Sequence, residues 1–280
     1  MKVFLTREGV RAQAEEGAPA VALALAWDEL FRAADPAGLV RDGIAKARGA
    51  GGPLDEGRLL APVASQEVWA AGVTYYKSRD ARMEESRDAA GGDFYARVYE
   101  AERPELFFKS SPHRVVGQGG RVRLRADARW NVPEPELTLA VNSAGRIFGV
   151  TVGNDMSSRD IEGENPLYLP QAKVYDGSCA LGPGVLLGEP PGPEATIKLE
   201  IARAGRVAFA GETTLAQLKR KPAELVGWLF RDQTFPNGVF LMTGTGIVPG
   251  TDFTLASGDE IRIDIAGVGR LVNTVAANQR

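Results

Sequence analysis

A succession of short β-like runs, with turn residues between them, limits what this chain can fold into more than any other feature. Glu136–Val141 and Ile147–Val152 flank Asn142-Ser143-Ala144-Gly145, a hairpin signal. Thr196–Ala202 and Arg206–Ala210 flank Gly205 in the same way. Val239–Met242, Glu260–Ile265 and Arg270–Val275 read as further strands, and Arg121–Arg129 as a strand and turn. Helical spacing is scarce. It is clearest over Pro222–Asp232, where Leu225, Trp228 and Leu229 share a face behind a first-turn proline. A second helix is expected over part of Ser78–Arg97, broken by Gly91-Gly92 into what reads as a flap. Strands outnumber helices and do not alternate with them. That excludes a doubly wound parallel sheet and predicts a β-rich α+β fold.

Residues 1–55 are expected to form a small N-terminal unit, and 56–280 the main domain. Met1–Thr6 reads as a strand, and Val21–Ala34 as a helix with Leu23, Trp27, Leu30 and Phe31 on one face. Gly49, Gly51, Gly52 and Pro53 then mark the boundary. With 33 Lys+Arg against 36 Asp+Glu in 280 residues, the net charge of −3 gives no basic excess for nucleic acid. No apolar run approaches the roughly 18 residues of a membrane span, and residues 1–20 carry no leader pattern. The single cysteine, Cys179, excludes an internal disulfide and a cysteine-based zinc site. It lies far from any histidine in sequence and reads as a small buried apolar group. The expectation is a cytoplasmic protein. One histidine, His113, is the sole candidate for histidine chemistry and reads as a surface residue.

The most informative stretch is Trp130-Asn131-Val132-Pro133-Glu134-Pro135-Glu136. Each proline fixes its own φ and pushes the preceding residue toward an extended conformation. In an extended chain, positions i and i+2 face the same way, about 6–7 Å apart. Glu134 and Glu136 therefore project together, able to chelate one hard cation. The same spacing also fits a solvated edge strand whose acidic side chains hold nothing. Asp155 follows the apolar run Ile147–Val152, at a strand tip beside Glu136, and is placed to be a third ligand. Ser157 and Asp160 behind it have capping-box spacing. Three carboxylates without other ligand types suggest Mg²⁺ or Mn²⁺.

Other residues bear on the chemistry of such a site. Lys173 could complement carboxylate or enolate charge near the cation, or could be an exposed loop lysine. Glu105 precedes the apolar run Leu106-Phe107-Phe108, which could desolvate it into an acid–base group. It also fits a solvated carboxylate at a strand start. Lys109, Tyr75 and Tyr76 read as wall or hydrogen-bonding groups, and Arg159 as a brace for the acidic loop. Phe107 and Phe108 read as core. Gly117-Gln118-Gly119-Gly120 lacks the lysine and helix of a phosphate loop and reads as a turn.

Five motifs now stand in one order: Pro104-Glu105-Leu106-Phe107-Phe108-Lys109, Val132-Pro133-Glu134-Pro135-Glu136, Gly153-Asn154-Asp155-Met156-Ser157-Ser158-Arg159-Asp160, Lys173-Val174-Tyr175-Asp176 and Thr243-Gly244-Thr245. In that order the chain resembles the fumarylacetoacetate hydrolase family, roughly from residue 60 to 275. The resemblance implies a mixed β-roll catalytic domain, a homo-oligomer (dimer or tetramer) and a Mg²⁺, Mn²⁺ or Ca²⁺ site. It puts the metal ligands on Glu134, Glu136 and Asp155, the active-site lysine on Lys173 and a carboxylate-binding threonine on Thr245. Lys109, Tyr75 and Arg159 join Thr245 as expected substrate contacts.

Members that cleave C–C bonds carry a water-activating histidine after the first catalytic-domain strand. Here that stretch reads Ala71-Gly72-Val73-Thr74-Tyr75-Tyr76-Lys77-Ser78-Arg79, with Ser78 near the expected place and no histidine. The segments Tyr95–Glu105 and Asp160–Gln171 resemble one branch, the 2-keto-3-deoxy-pentonate dehydratases. That likeness implies metal-assisted dehydration of a 2-keto-3-deoxy sugar acid, such as 2-keto-3-deoxy-D-arabinonate, to 2,5-dioxopentanoate. Glu105 and Lys173 are then the expected catalytic groups. Hydrolysis of a 2,4-diketo acid on the same platform is the alternative. A non-catalytic, metal-stabilised ligand-binding module is the alternative of another class.

Overall fold

The short β segments assemble into two principal sheets. The computed structural model describes residues 1–47, 49, 51–75 and 97–277. The larger sheet has ten strands. Its path runs Val21–Ala22, Gly9–Gln13, Lys2–Thr6, Cys179–Leu187, Ile147–Asp155, Pro135–Val141, Val239–Met242, Glu67–Gly72 and Glu105–Ser110. Val115–Val116 pairs in parallel beside Cys179–Leu187. The smaller sheet has five strands, in the order Arg206–Thr214, Thr196–Arg203, Glu260–Ile265, Gly269–Ala277 and Arg121–Leu124. A two-stranded ribbon joins Asn131–Val132 to Ser157–Ser158. The architecture is α+β, as the scarcity of helical spacing predicts.

Burial patterns show how the layers stack. Every residue of Pro135–Val141 is buried, because both faces of this central strand are covered. Leu137, Leu139 and Val141 pack with Ile197, Leu199, Ile201, Ile261 and Ile263 of the smaller sheet. Ala140, on the opposite face, packs with Trp27, Leu30, Phe31, Phe148 and Phe240. Phe31 meets Phe148 and Phe240 edge-on, with ring centroids 4.9 and 5.2 Å apart. The larger sheet is thus clasped between the smaller sheet and the N-terminal helices.

The N-terminal segment joins this layering directly. Lys2 pairs with Leu186 and Val3 with Val185, so the sheet runs on across the boundary expected near residue 55. The helix expected over Val21–Ala34 is shorter. Val21–Ala22 pairs with Arg11 and Ala12 as a strand, and the helix spans Trp27–Arg32. Ala26 is extended, and its N–H donates to Glu29 Oε2 at 2.7 Å, which starts the helix there. A second helix, Pro36–Lys46, escaped the periodicity argument. Its signal was local: Asp35 caps it by accepting from the Gly38 N–H at 2.9 Å, with Pro36 at the first helical position.

The remaining expectations fall as follows. The helix over Pro222–Leu229 buries Leu225, Val226 and Leu229. Trp228 is half-buried, with the Arg231 guanidinium 3.5 Å from its ring centroid. Of the expected Ser78–Arg97 helix, residues 76–96, including Tyr76, Ser78 and Gly91-Gly92, lie outside the described residues; residues 97–100 are helical. Among the described residues no helix is long and apolar enough to cross a membrane.

Candidate active site

Two antiparallel neighbours of the larger sheet build the site. Glu136 lies opposite Gly153 in the pairing of Pro135–Val141 with Ile147–Asp155. The Asp155 N–H donates to the Glu134 carbonyl at 3.0 Å and ties the two acidic segments together. Carboxylate oxygens of Glu134, Glu136 and Asp155 lie within 4.8 Å of one another, and all three residues are buried. The solvated edge strand is thereby excluded. Three buried carboxylates this close repel unless cations compensate them. An all-oxygen donor set fits Mg²⁺, Mn²⁺ or Ca²⁺, which prefer hard ligands, and does not fit zinc.

Protein cations supply part of the compensation. Lys173 ends the helix Leu169–Lys173 and is 1% exposed, so the exposed-loop alternative falls. Its Nζ donates to Glu134 Oε2 at 2.8 Å and Asp155 Oδ2 at 3.0 Å, and also to Ser157 Oγ. Arg159, equally buried, places Nη2 2.6 Å from Glu134 Oε1. Lys109 is fully buried, with Nζ 2.5 Å from Asp155 Oδ1. It also donates to the carbonyls of Met156 and Lys173. An ammonium has three N–H bonds, so those of Lys109 are all taken by protein acceptors. Expected among the substrate contacts, Lys109 instead braces Asp155 from behind.

Glu136 accepts the Gly244 N–H at 2.6 Å. Gly244 has φ +93°, and a Cβ there would come within 2.0 Å of Thr74 Oγ1, so only glycine presents this N–H. Burial pushes the Glu136 carboxyl well above its ordinary pKa, and the charges of Asp155 and Glu134 push it further; Lys173 and the Gly244 N–H oppose them. The folded, metal-free protein therefore holds a proton there that the unfolded chain gives up at lower pH. Metal-free stability falls as pH rises from the ordinary carboxylate range through the raised value. Wherever the pH lies below that raised value, a bound Mg²⁺ would have to displace the proton. Calorimetry in buffers of different ionisation enthalpy should show proton release on Mg²⁺ binding, and affinity should rise with pH.

The cleft above the carboxylates is lined by Gly72, Phe107, Gly244 and Thr245 together with Arg159 and Lys173. Glu105 begins the strand Glu105–Ser110 and pairs opposite Gly72. A Cβ on Gly72 would meet Glu105 Oε2 at 2.1 Å, so the carboxylate lies across this glycine at the cleft rim. Thr245 is buried, and its hydroxyl is 3.2 Å from both the carbonyl and the N–H of Ile247. Tyr75 is buried behind that loop, beside Gly246 and Thr213. Its phenol pKa is raised by burial and by the charge of Glu136. His113 is exposed, with Nδ1 3.2 Å from Ser111 Oγ. Burial pushes the Cys179 thiol up to about 12, so it is no nucleophile.

Residues 81–276 match the model of the fumarylacetoacetate (FAA) hydrolase C-terminal domain. The chain belongs to the fumarylacetoacetate hydrolase family. It is 41% identical over 230 residues to the 2-dehydro-3-deoxy-D-arabinonate dehydratase of Saccharolobus solfataricus, covering 81% of this chain and 77% of that one. A Haloferax volcanii protein named "Probable 2-keto-3-deoxyxylonate dehydratase" is 47% identical over 216 residues, covering 76% and 73%. The structure of 2-keto-3-deoxy-D-arabinonate dehydratase complexed with magnesium and 2,5-dioxopentanoate superposes over the whole of both chains, with a TM-score of 0.85 and 32% identity.

Within this family member, some site residues escaped sequence reasoning. Ser157 and Asp160 do not form the expected capping box. The N-cap is Ser158, without a side-chain cap bond; Ser157 turns to Lys173, and Asp160 accepts the Arg129 N–H at 2.6 Å. Phe107, read as core, lines the cleft with its ring centroid 5.7 Å from Lys173 Nζ. Glu162 is 2% exposed and joins the charge network. Its signal was available: it follows Arg159 by three residues in the helix Arg159–Glu164, hence on one face.

Proposed function

We propose that this chain is a divalent-metal-dependent dehydratase of a 2-keto-3-deoxy sugar acid, 2-keto-3-deoxy-D-arabinonate or a similar pentonate, giving 2,5-dioxopentanoate. The observation that carries the reading is the buried Glu134–Glu136–Asp155 triad, with the Lys173 ammonium 2.8 and 3.0 Å from two of its members and Glu105 at the cleft rim. Two relatives bear dehydratase names, and a solved neighbour holds magnesium with the proposed product. Glu134, Glu136 and Asp155 would hold the cation, Mg²⁺ foremost. Once bound, it supplies positive charge that acidifies the hydrogens beside the ketone of a chelated 2-oxo acid.

The residues of the chain do the rest. Glu105 takes a C3 proton, and Lys173 offsets the charge that develops on the substrate oxygens. The C4 hydroxyl departs as water after taking up a proton. A proton then moves from C5 to C3, and the resulting C4–C5 enol closes to the C5 aldehyde. No water nucleophile is required, which suits a chain whose one histidine is exposed. Arg159 and Thr245 are the proposed substrate contacts around this centre; Tyr75, expected among them, lies behind the Thr245 loop and outside the cleft lining.

We read the enzyme as a cytoplasmic homo-oligomer, dimer or tetramer. A lone, fully buried cysteine suits a reducing compartment. Leu167 and Val207, 82% and 60% exposed, offer apolar surface to another copy.

The test is an assay of purified protein with Mg²⁺ on 2-keto-3-deoxy-pentonates and on acylpyruvates. Dioxopentanoate without C–C cleavage is the expected product. Pyruvate plus a second acid from an acylpyruvate would replace the reading by hydrolysis. A rise in melting temperature with Mg²⁺, without turnover of either class, would replace it by a binding module.

A further inference from the structure

Glu162 is a buried carboxylate that the proposed chemistry does not use. It is 2% exposed and lies on the helix Arg159–Glu164, and is not itself among the residues that line the cleft. Its two oxygens meet the two cations that do line it. Oε1 is 3.3 Å from Lys173 Nζ, and Oε2 is 3.8 Å from Arg159 Nε. Those cations converge on Glu134, at 2.8 Å from Lys173 and 2.6 Å from Arg159. The four side chains close a ring of alternating charge: Glu134, Arg159, Glu162, Lys173. Every member is almost fully buried, so each charge depends on neighbouring protein groups rather than on water; Lys173 also donates to Asp155 Oδ2 and Ser157 Oγ.

The two acidic corners of this ring are not equivalent. Glu134 belongs to the triad and faces the cleft; Glu162 stands on the far side of both cations. Were Glu134 to hold a divalent cation, its charge would be shared away from Lys173 and Arg159, and Glu162 would remain as an anion behind both.

We infer that Glu162 is a positioning residue: it anchors Lys173 and Arg159 when Glu134 is given over to the cation, so that both keep facing substrate. Without it, the two cations fall back on Glu134 and compete with the metal for its oxygens. The inference rests on reading Glu134, Glu136 and Asp155 as the cation site.

Glu162→Gln keeps the shape and removes the charge. Titrating metal-free protein with Mg²⁺ by calorimetry should show binding weakened about tenfold or more. At saturating Mg²⁺, kcat should fall about tenfold or more while substrate KM stays within about threefold, because Lys173 acts on charge that develops in the transition state. Glu162→Asp retains the anion and should recover Mg²⁺ affinity to within about threefold of the parent; this variant serves equally if the glutamine variant does not fold. Should Glu162→Gln bind Mg²⁺ within twofold of the parent and turn over with parental kcat, the inference falls alone. A Glu162→Asp variant that folds but binds Mg²⁺ as weakly as a charge-free one overturns it too. If the parent itself binds no Mg²⁺, the cation site falls, and this inference with it.

Discussion

Glu134→Gln should lower kcat/KM by at least about a thousandfold, which at about 1.36 kcal/mol per decade is roughly 4 kcal/mol of transition-state stabilisation. The change is nearly isosteric, yet it removes two things at once. The triad loses one charged ligand, and Arg159 and Lys173 lose the carboxylate they share at 2.6 and 2.8 Å. An amide presents one oxygen where the carboxylate presents two. Mg²⁺ calorimetry and steady-state kinetics on the folded variant check this. Normal turnover by that variant would strike Glu134 from the ligand set and leave the proposed chemistry without its cation.

The second large effect concerns stability. Lys109→Met should destabilise the metal-free protein by about 3–5 kcal/mol, the usual cost of breaking a buried ion pair on one side. For a chain of this size that is a fall of roughly 6–20 °C in melting temperature. The methionine fills much of the lysine's volume, so the loss reports charge more than packing. Asp155 would keep Lys173 at 3.0 Å but lose the ammonium 2.5 Å away, and the carbonyls of Met156 and Lys173 would lose a donor. Thermal unfolding in a chelator should show the full effect, and added Mg²⁺ should narrow it by compensating the same carboxylate. A melting temperature within about 2 °C of the parent would mean that Asp155 does not depend on this lysine.

Much of the site was legible because it rests on local rules. Two prolines around Glu134 dictate an extended chain, and extended chains put positions i and i+2 on one side. The hairpin turn Asn142-Ser143-Ala144-Gly145 then brings the far end of the next strand, with Asp155, alongside Glu136. What failed locally was capping. Ser157 and Asp160 had the right spacing, but a buried ammonium and a neighbouring backbone N–H drew their side chains elsewhere. The N-terminal boundary shows the same limit. Glycine and proline do punctuate the chain near residue 55, yet Lys2–Thr6 pairs with Cys179–Leu187, and no local signal reports so distant a partner.

Sequence by itself determined the strand-rich α+β class, the family and the convergence of Glu134, Glu136 and Asp155 on one site. These follow from spacing, turn chemistry and motif order, which act over a few residues. Tertiary structure alone decided which cations serve the site and how. Sequence reads Lys173 as the active-site lysine, Arg159 as a brace and Lys109 as a wall group, but it does not say which of them reach the cleft. In the fold Lys109 is walled in behind Asp155, Arg159 and Lys173 face the cleft, and Glu162 holds the latter two from behind. Burial makes the difference: with water removed, a charge is placed by its nearest ions, and those come from segments far apart in the chain.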